Sequence, residues 1–309
     1  AARLVTGEDV VLKVQKPGVE TILYTDLNVV HWATKILEKA VPKIKFASLS
    51  DIVDEIKTRM VREVDFIEEA QNLDDFIQYL NVSGNQAATA PKVYHQFSTR
   101  RVLTMQRLYG VSLTDFDVVK KYAKDPTQVL ITAMNTWFGS LMLCKSFHAD
   151  LHAGNLMLLE DGRIGFIDFG IVGQLNPEVW TACMAFMDAL QHTNYTAMAE
   201  NMLKMGMTHQ KIDTQVLADD LERLFSGVLL ADPQEILSSN PADLNDIMMD
   251  MIGVGERHGI KFPRDFALLF KQMLYFDRFM RVLAPYTDIY ADQRLKMVHN
   301  IEPASFLKH

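Results

Sequence analysis

The chain has 309 residues, 49% of them hydrophobic, so it can bury a core large enough for one two-lobed unit or two fused domains. This composition excludes general disorder, and the formal charge of −8 argues against a nucleic-acid-binding protein, which needs clustered Lys and Arg. The only cysteines, Cys144 and Cys183, lie in apolar helical stretches and are expected to be buried thiols of a reducing compartment.

The first predicted elements are a β-hairpin and two helices. An apolar run over 10–14 follows a turn and stops at Pro17-Gly18, so the chain is expected to begin as a hairpin. Apolar residues at helical spacing predict one helix over 20–40 and a second from about Ser50 towards Leu80. Because the first residues include neither an initiator Met nor a targeting peptide, the chain is interpreted as an N-terminally truncated fragment.

The middle of the chain changes from strands to helices. Short strands are predicted over 91–97 and 101–106, which complete a small β-rich lobe. A helix over about 126–147 then leads into a polar loop, a hairpin over 156–167 with an Asp-Gly turn, and further helices. The charge-free run 128–144 is a little short for a bilayer span, so we interpret it as a buried core helix.

Two sequence features raise the question of a lipid surface. One is a basic patch that consists of Lys35, Lys39, Lys43 and Lys45. A solvated helix end is preferred for this patch over a site for anionic lipid headgroups. The other is the abundance of methionine beyond Pro177, which fits adaptable core filling better than a greasy partner or a lipid surface.

The strongest chemical signal is a polar loop that precedes the hairpin, followed by a D-F-G tripeptide. Asp150 and Asn155 have the D-x-x-x-x-N spacing of a kinase catalytic loop. Asp168 begins the D-F-G, at the end of a predicted strand. The tripeptide alone is weak evidence, but the combination is specific because each piece has the structural context that its role requires.

These side chains supply what phosphoryl transfer asks of a protein. Asp168 would bridge Mg²⁺ to phosphate oxygens, Asn155 would hold a second metal position, and Asp150 would orient or deprotonate the acceptor. A transition-metal site at His148, Asp150 and His152 is a rival interpretation. It leaves Asn155 and the D-F-G unexplained, so the kinase interpretation is preferred.

A cation for the nucleotide phosphates is available in the first apolar strand. Alternation puts Lys13 on the face opposite Leu12 and Val14, where it could reach the α- and β-phosphates. The sequence has no P-loop, no G-x-G-x-x-G ahead of Lys13 and no long activation segment after Asp168. A conventional platform for peptide substrates is therefore not expected.

The partner of Lys13 should be a helical glutamate, and the segment 63–72 offers several acids. In a regular helix Asp65 and Glu69 lie one turn apart on one face, whereas Glu63 is nearly opposite Asp65. Glu63 and Glu69 should therefore serve different partners.

Together these motifs resemble those of the UbiB-like, or aarF-domain, atypical kinases, and the resemblance covers almost the whole chain. It rests on the segments 11–18, 63–72, 148–156 and 168–170. It implies a protein-kinase-like α+β fold with two lobes. The N-lobe, residues 1–108, would be small and β-rich with inserted helices, and the C-lobe, residues 109–309, would be larger and helical. The family's alanine-rich lid and K-x-G-Q helix would precede Ala1.

The resemblance also implies roles for individual residues. The catalytic residues would be Asp150 at the acceptor, Lys13 on the phosphates and Glu69 as the ion-pair partner of the lysine. The nucleotide contacts would come from Lys13, Met105, Gln106, Leu108, Asn155 and Asp168, with Asn155 and Asp168 also holding the metal. Glu63 and Asp65 would form the family's own E-x-D element, which faces an N-terminal extension. Leu151 and Ala153 stand where two prolines are usual, which bears on the rigidity of the loop.

The function implied by the resemblance is that of an atypical kinase or ATPase with ATP and Mg²⁺ as cofactors. It would support prenylquinone or other isoprenoid-lipid metabolism, with prenyl lipids or quinone-biosynthesis proteins and a membrane surface as partners, and no nucleic acid. The loop and the segments 168–174, 261–269 and 274–278 resemble the plastid and cyanobacterial branch. A chloroplast location, at plastoglobules or membranes, is therefore preferred over a mitochondrion or a bacterial cytoplasmic membrane face.

Two other functions remain open at this point. The domain could be a non-catalytic, nucleotide-gated scaffold or lipid chaperone for a membrane biosynthetic complex. It could also be a soluble kinase of small metabolites, of the choline or aminoglycoside type, which shares the Asp-Asn loop.

Overall fold

The computed structural model describes residues 1–40, 53–54, 56–57, 60, 64–144, 146–174, 176–206, 208, 211–229, 241–262, 264–284 and 292–295. The chain forms two compact units. The first contains Ala1–Gln78, Thr89–Tyr109 and Phe166–Ile171, and the second contains Tyr79–Ala88, Gly110–Gly165 and the chain from Val172 onwards. The predicted lobe boundary between residues 108 and 109 stays a prediction.

Strands are short and helices are long, as an α+β fold requires. The strands are β1 (Ala2–Arg3), β2 (Asp9–Val14), β3 (Ala88–Thr89), β4 (Val102–Gln106), β5 (Gly110–Ser112), β6 (Phe147–His148), β7 (Leu156–Leu159), β8 (Ile164–Phe166) and β9 (Val172–Gly173). The helices are α1 (Val19–Ala40), α2 (Phe66–Val82), α3 (Phe116–Tyr122), α4 (Pro126–Leu143), α5 (Pro177–Gln191), α6 (Tyr195–Met205), α7 (Thr214–Leu229), α8 (Pro241–Arg257) and α9 (Arg264–Leu283).

The first unit has an antiparallel sheet in the order β1-β2-β4, which confirms the predicted opening hairpin. Lys13 pairs with the fully buried Leu103 in this sheet. Leu12 and Val14 are exposed on the opposite face, as the alternation of the strand predicts. The sheet therefore directs Lys13 towards the inside of the unit.

The predicted single helix from Ser50 to Leu80 was wrong, because the chain is not helical at residues 64–65 and α2 begins at Phe66. The backbone at this point bonds to other segments and not to its own helix. The Val64 carbonyl accepts a hydrogen bond from Gln15 Nε2 at 3.0 Å. The Phe66 N–H donates to the Arg100 carbonyl at 3.1 Å. With these groups occupied, the i to i−4 bonds that would continue a helix are lost.

The predicted strand over 91–97 was also wrong. The segment makes only a β-bridge between Val93 and Met105, and its end is a 3₁₀ helix over His95–Phe97. Buried Thr104 explains this turn, because its hydroxyl donates to the Phe97 carbonyl at 2.6 Å. The second predicted strand of this region is confirmed as β4.

In a sheet of the second unit, β7 lies between β5 and β8. The predicted hairpin is confirmed as β7 and β8. Gly162 sits in its turn with φ 86°, a left-handed conformation that favours glycine. Its N–H donates to the Leu159 carbonyl at 2.9 Å. The second strand of the hairpin, β8, ends two residues before Asp168.

Helix α4 forms the centre of the second unit and confirms the predicted core helix. Its Trp137 is fully buried and packs against Phe147 and Phe276. Helices α5 to α9 follow in sequence, each packed on the next, and α9 returns to pack on α4. None of the helices in the described ranges is long and apolar enough to pass through a bilayer.

The cysteines and methionines mostly occupy the core. Cys183 is buried, and burial raises the pKa of its thiol to about 12. Cys144 is only half-buried because it lies at the C-terminal cap of α4, so its prediction as buried was wrong. The described core of the helical region includes five methionines, namely Met198, Met202, Met205, Met251 and Met280. Lys35 and Lys39 are exposed on α1, while Lys43 and Lys45 lie outside the described residues.

A close approach between helices gives a first testable prediction, within the second unit. The Tyr79 hydroxyl donates to the Thr136 carbonyl at 2.8 Å, and a Cβ on Gly139 would overlap that hydroxyl. Gly139→Ala is therefore expected to lower the free energy of unfolding by about 1–2 kcal/mol, although alanine favours a helix. Gly253→Ala is the matched control, since only Arg257 Nη1, at 3.8 Å, lies near the added Cβ.

The measurement for both glycine variants is urea unfolding of the purified chain. Gly253→Ala is expected to be neutral or to raise the free energy of unfolding by up to about 1 kcal/mol. Equal stability gains for the two variants would show that the contact at Gly139 does not constrain the packing of α4.

Candidate active site

A lysine flanked by two carboxylates lies in the first unit. Lys13 Nζ donates to Glu69 Oε1 at 2.8 Å and to Glu69 Oε2 at 2.9 Å. The same ammonium donates to Asp168 Oδ1 at 2.8 Å. We call Lys13, Glu69 and Asp168 the Lys13 cluster. The helical glutamate expected beside the strand lysine is thus Glu69 in the structure.

Local structure explains why these side chains converge. Strand β2 directs Lys13 inwards, and the first turns of α2 place buried Glu69 opposite it. The ring of Phe66 lies 5.5 Å from Lys13 Nζ and adds a cation–π contact. The lysine is therefore held by a strand, a helix and the D-F-G segment of one unit.

The electrostatics of the Lys13 cluster leave one negative charge uncompensated when all three groups are ionised. Burial alone lowers the pKa of Lys13, but Glu69 and Asp168 outweigh burial and raise it above its ordinary value. For Glu69 the effect of burial is the opposite and raises the pKa of the carboxyl group. Lys13 lowers this pKa, but nearby Asp168 raises it further, so that the net change is upwards. A cluster of this charge can accept a further cation.

The D-F-G segment has an unusual backbone conformation, and side chains of α2 hold it in place. Asp168 has φ 61°, in the left-handed region that residues other than glycine rarely adopt. Asn72 Nδ2 donates to the Phe169 carbonyl at 3.1 Å, and Phe169 packs on Phe76 with ring centroids 4.9 Å apart. The Asp168 side chain is 47% exposed, so its carboxylate is accessible to a ligand. Sequence analysis gave no role to Asn72.

The acidic residues before α2 have a different environment. The Asp65 carboxylate accepts from the Ile67 N–H at 3.0 Å, as a helix cap, and pairs with Arg100 Nη2 at 2.8 Å. Ile67 and Arg100, its partners, do not belong to the Lys13 cluster. Glu63 lies outside the described residues, so the E-x-D element stays a prediction.

Three further residues predicted to contact the nucleotide lie at or just after the end of β4, also in the first unit. Met105 pairs with Val11 in the sheet. The Gln106 N–H donates to the Lys92 carbonyl at 2.8 Å, and Leu108 is half-buried two residues further on. Their contact with a nucleotide stays a prediction.

The catalytic-type loop belongs to the second unit, and its own polar groups fix its shape. We call residues 148–155 the Asp150 loop. Asn155 is buried, and its Nδ2 donates to the Asp150 carbonyl at 2.9 Å. His148 Nδ1 accepts from the Asp150 N–H at 3.2 Å, and His152 Nδ1 accepts from the Gly154 N–H at 3.0 Å. The structure thus brings Asp150 and Asn155 together as parts of one loop.

The rival transition-metal interpretation finds no support in this geometry. Both histidines use Nδ1 to accept loop hydrogen bonds, and His152 Nε2 is 3.8 Å from Asp150 Oδ2. Within the described part of the chain, no three or more His, Cys, Asp or Glu side chains gather as a metal site.

Two residues of α9 at the Asp150 loop were missed by sequence analysis. Gln272, fully buried, donates through Nε2 to the Ala149 carbonyl at 2.7 Å and accepts through Oε1 from the Leu151 N–H at 2.5 Å. Its neighbour Lys271 donates to Asp150 Oδ1 at 2.7 Å. The signal for Gln272 was present, because an amide interrupts the apolar stripe formed by Leu269, Phe276 and Phe279.

The donor groups of both units are suited to Mg²⁺. Asp168 offers a carboxylate. The Asn155 NH₂ donates a hydrogen bond within the loop, so the side-chain carbonyl oxygen of Asn155 is the atom that can act as a ligand. Carboxylate and amide oxygens are the ligands that Mg²⁺ prefers. The residues therefore fit the metal that the resemblance implies.

Comparison with known proteins identifies the family. Residues 1–202 match the ABC1 atypical kinase-like domain. The chain belongs to this family. The chain is 45% identical, over 95% of its length, to an uncharacterised chloroplastic aarF domain-containing protein kinase of Arabidopsis thaliana. It is 25% identical, over 94% of its length, to the probable protein kinase UbiB of Azotobacter vinelandii. It spans 58% and 53% of these two proteins.

Solved structures support the fold. The complex of Rv3197 with erythromycin from Mycobacterium tuberculosis superposes with a TM-score of 0.64 at 21% identity, over 90% of the present chain and 68% of the Rv3197 chain. The predicted kinase-like α+β fold is confirmed by this likeness and by the family match. A kinase-like function is the coarse conclusion that family membership supports.

Proposed function

We propose that this ABC1 domain binds ATP with Mg²⁺ and hydrolyses or transfers the γ-phosphate. The observation that carries the proposal is the Lys13 cluster, where Lys13 Nζ donates to Glu69 and to Asp168 at 2.8 Å each. A lysine fixed by a helical glutamate beside a D-F-G aspartate is the arrangement that kinases use on nucleotide phosphates. Membership of an atypical kinase-like family supports the same function.

In this proposal each residue has a defined task. Lys13 binds the α- and β-phosphates, and Glu69 holds the lysine in place. Asn155 and Asp168 are the ligands of Mg²⁺, which when bound neutralises charge on the phosphates. Asp150 orients the acceptor hydroxyl or water and takes its proton. The base of the nucleotide would lie at Met105, Gln106 and Leu108.

The metabolic setting is a further part of the proposal. We infer that the protein supports prenylquinone or related isoprenoid-lipid metabolism, because the family includes a probable protein kinase UbiB. Prenyl lipids, quinone-biosynthesis proteins and a membrane surface are the proposed partners. A plastid location is supported by the 45% identity to a chloroplastic protein of Arabidopsis thaliana.

The test is a thermal-shift titration with ATP combined with an assay of ADP formation. With Mg²⁺, ATP at 100 times its Kd should stabilise the chain by about 2.7 kcal/mol, and EDTA should remove this effect. ADP should form, and liposomes should raise its rate. Stabilisation without ADP formation would favour a nucleotide-gated scaffold, and absence of any stabilisation by ATP would contradict the proposal.

A further inference from the structure

The Asp150 loop contains no positively charged side chain of its own. Between Phe147 and Asn155 there is neither Lys nor Arg. The two histidines accept hydrogen bonds at Nδ1 from backbone N–H groups, and a ring nitrogen that accepts carries no proton. Both Nδ1 atoms therefore serve the backbone of the loop, which has no lysine or arginine.

Phosphoryl transfer requires positive charge beside the group that moves. Negative charge spreads over the three equatorial oxygens of the transferred phosphoryl group, and cations stabilise it there. Lys13 is committed to Glu69 and Asp168 within the first unit. A cation of the chain beside Asp150 would therefore add, at the acceptor end of the reaction, to the positive charge that Mg²⁺ supplies.

Helix α9 places the ammonium group of Lys271 beside Asp150. Lys271 Nζ lies 2.7 Å from Asp150 Oδ1 and 5.6 Å from the centre of the Tyr275 ring, one helical turn further on. Gln272, the next residue, fixes the Asp150 loop through the backbone of its neighbours. The helix that shapes the loop thus also fixes the position of the ammonium group.

The exposure of this ion pair favours a functional role over a purely structural one. The Lys271 side chain is 42% exposed and that of Asp150 is 25% exposed. Ion pairs with this degree of exposure contribute little to folding, because water screens them. An accessible ammonium beside the predicted acceptor carboxylate can instead contact a substrate.

We propose that Lys271 is a catalytic residue that binds the transferred γ-phosphoryl group and supplies the positive charge missing from the Asp150 loop. The inference rests on the proposed function. An oxygen of the acceptor forms the new bond to the γ-phosphorus as the bond to the β,γ-bridging oxygen breaks. ADP keeps that bridging oxygen with its electron pair, and the acceptor proton passes to Asp150. Lys271 holds the phosphoryl oxygens throughout and does not exchange a proton.

The experiment compares Lys271→Met, Lys271→Arg and a control, Lys121→Met, on the full chain. Lys121 also lies over a tyrosine ring, that of Tyr122 at 5.9 Å, and it is exposed at the C-terminal end of α3. Lys271→Met should lower kcat for ADP formation about 100-fold with KM for ATP within about 3-fold, since loss of one charge-stabilising donor has that size. Lys271→Arg should recover part of kcat, and Lys121→Met should match the unaltered chain.

A second readout separates this role from a structural one. ADP with aluminium fluoride and Mg²⁺ mimics the transferred phosphoryl group, so it should raise the Tm of the unaltered chain more than it raises that of Lys271→Met. The Tm without ligand should agree within about 3 °C among all variants. An unaltered kcat and an equal aluminium fluoride shift in Lys271→Met would overturn the inference while leaving the proposed function standing. An unaltered chain that ATP with Mg²⁺ fails to stabilise would overturn both.

Discussion

Asp168→Asn is expected to abolish the magnesium-dependent stabilisation of the chain by ATP. The side chains have the same shape, and asparagine tolerates the left-handed backbone that Asp168 adopts at φ 61°. An asparagine can still accept the hydrogen bond from Lys13 Nζ. The Lys13 cluster, however, loses the negative charge that made it attractive to a divalent cation. The fold is therefore kept while the proposed metal ligand is lost.

The measurement is the Tm with ATP and either Mg²⁺ or EDTA. The gain of about 2.7 kcal/mol expected at 100 times the Kd should vanish, and ADP formation should fall below detection. Asp161→Asn is the matched control, because Asp161 lies in the β7–β8 turn and pairs only locally, with Arg163 at 2.7 Å. If Asp168→Asn keeps the same magnesium-dependent shift as this control, Asp168 is not the metal ligand.

Features encoded by local sequence were predicted well. The hairpin of β7 and β8 follows from an Asp-Gly turn between apolar runs, and α4 follows from a long apolar segment. Lys13, Asp150 and Asp168 were selected as site residues because each sits in a short motif with a fixed element around it, and their roles stay predictions. Such signals are contained in a few consecutive residues, so no tertiary information is needed to recognise them.

Features created by tertiary contacts were not predicted. The break before α2 arises because Gln15 and Arg100, both far away in sequence, bind the backbone at residues 64–66. The contacts of Lys271 and Gln272 with the Asp150 loop join residues 121 or more positions apart. Helical periodicity gives the face on which a residue lies but not the backbone that it meets, so these partners were beyond reach.

Gln272→Leu is expected to lower the stability of the second unit strongly. Gln272 is fully buried, as is Ala149, and Leu151 is 1% exposed. Leucine would leave the Leu151 N–H and the Ala149 carbonyl without the partners that Gln272 provides at 2.5 and 2.7 Å. Each buried backbone group left unsatisfied costs about 1–3 kcal/mol, so the two groups together should cost about 2–6 kcal/mol. Leucine restores apolar contacts but not these two bonds.

Urea unfolding measures the effect on the stability of the whole chain, and amide hydrogen exchange measures it at the Leu151 N–H. The whole chain should unfold at lower urea, and the Leu151 N–H should lose protection, since its acceptor has gone. Gln215→Leu is the matched control, because Gln215 is exposed on α7 and bonds only to Asp219 one turn away. It should change the free energy of unfolding by no more than about 0.5 kcal/mol. Equal stabilities of the two variants would mean that α9 does not hold the Asp150 loop, and Lys271 would then lose the rigid support that its proposed role requires.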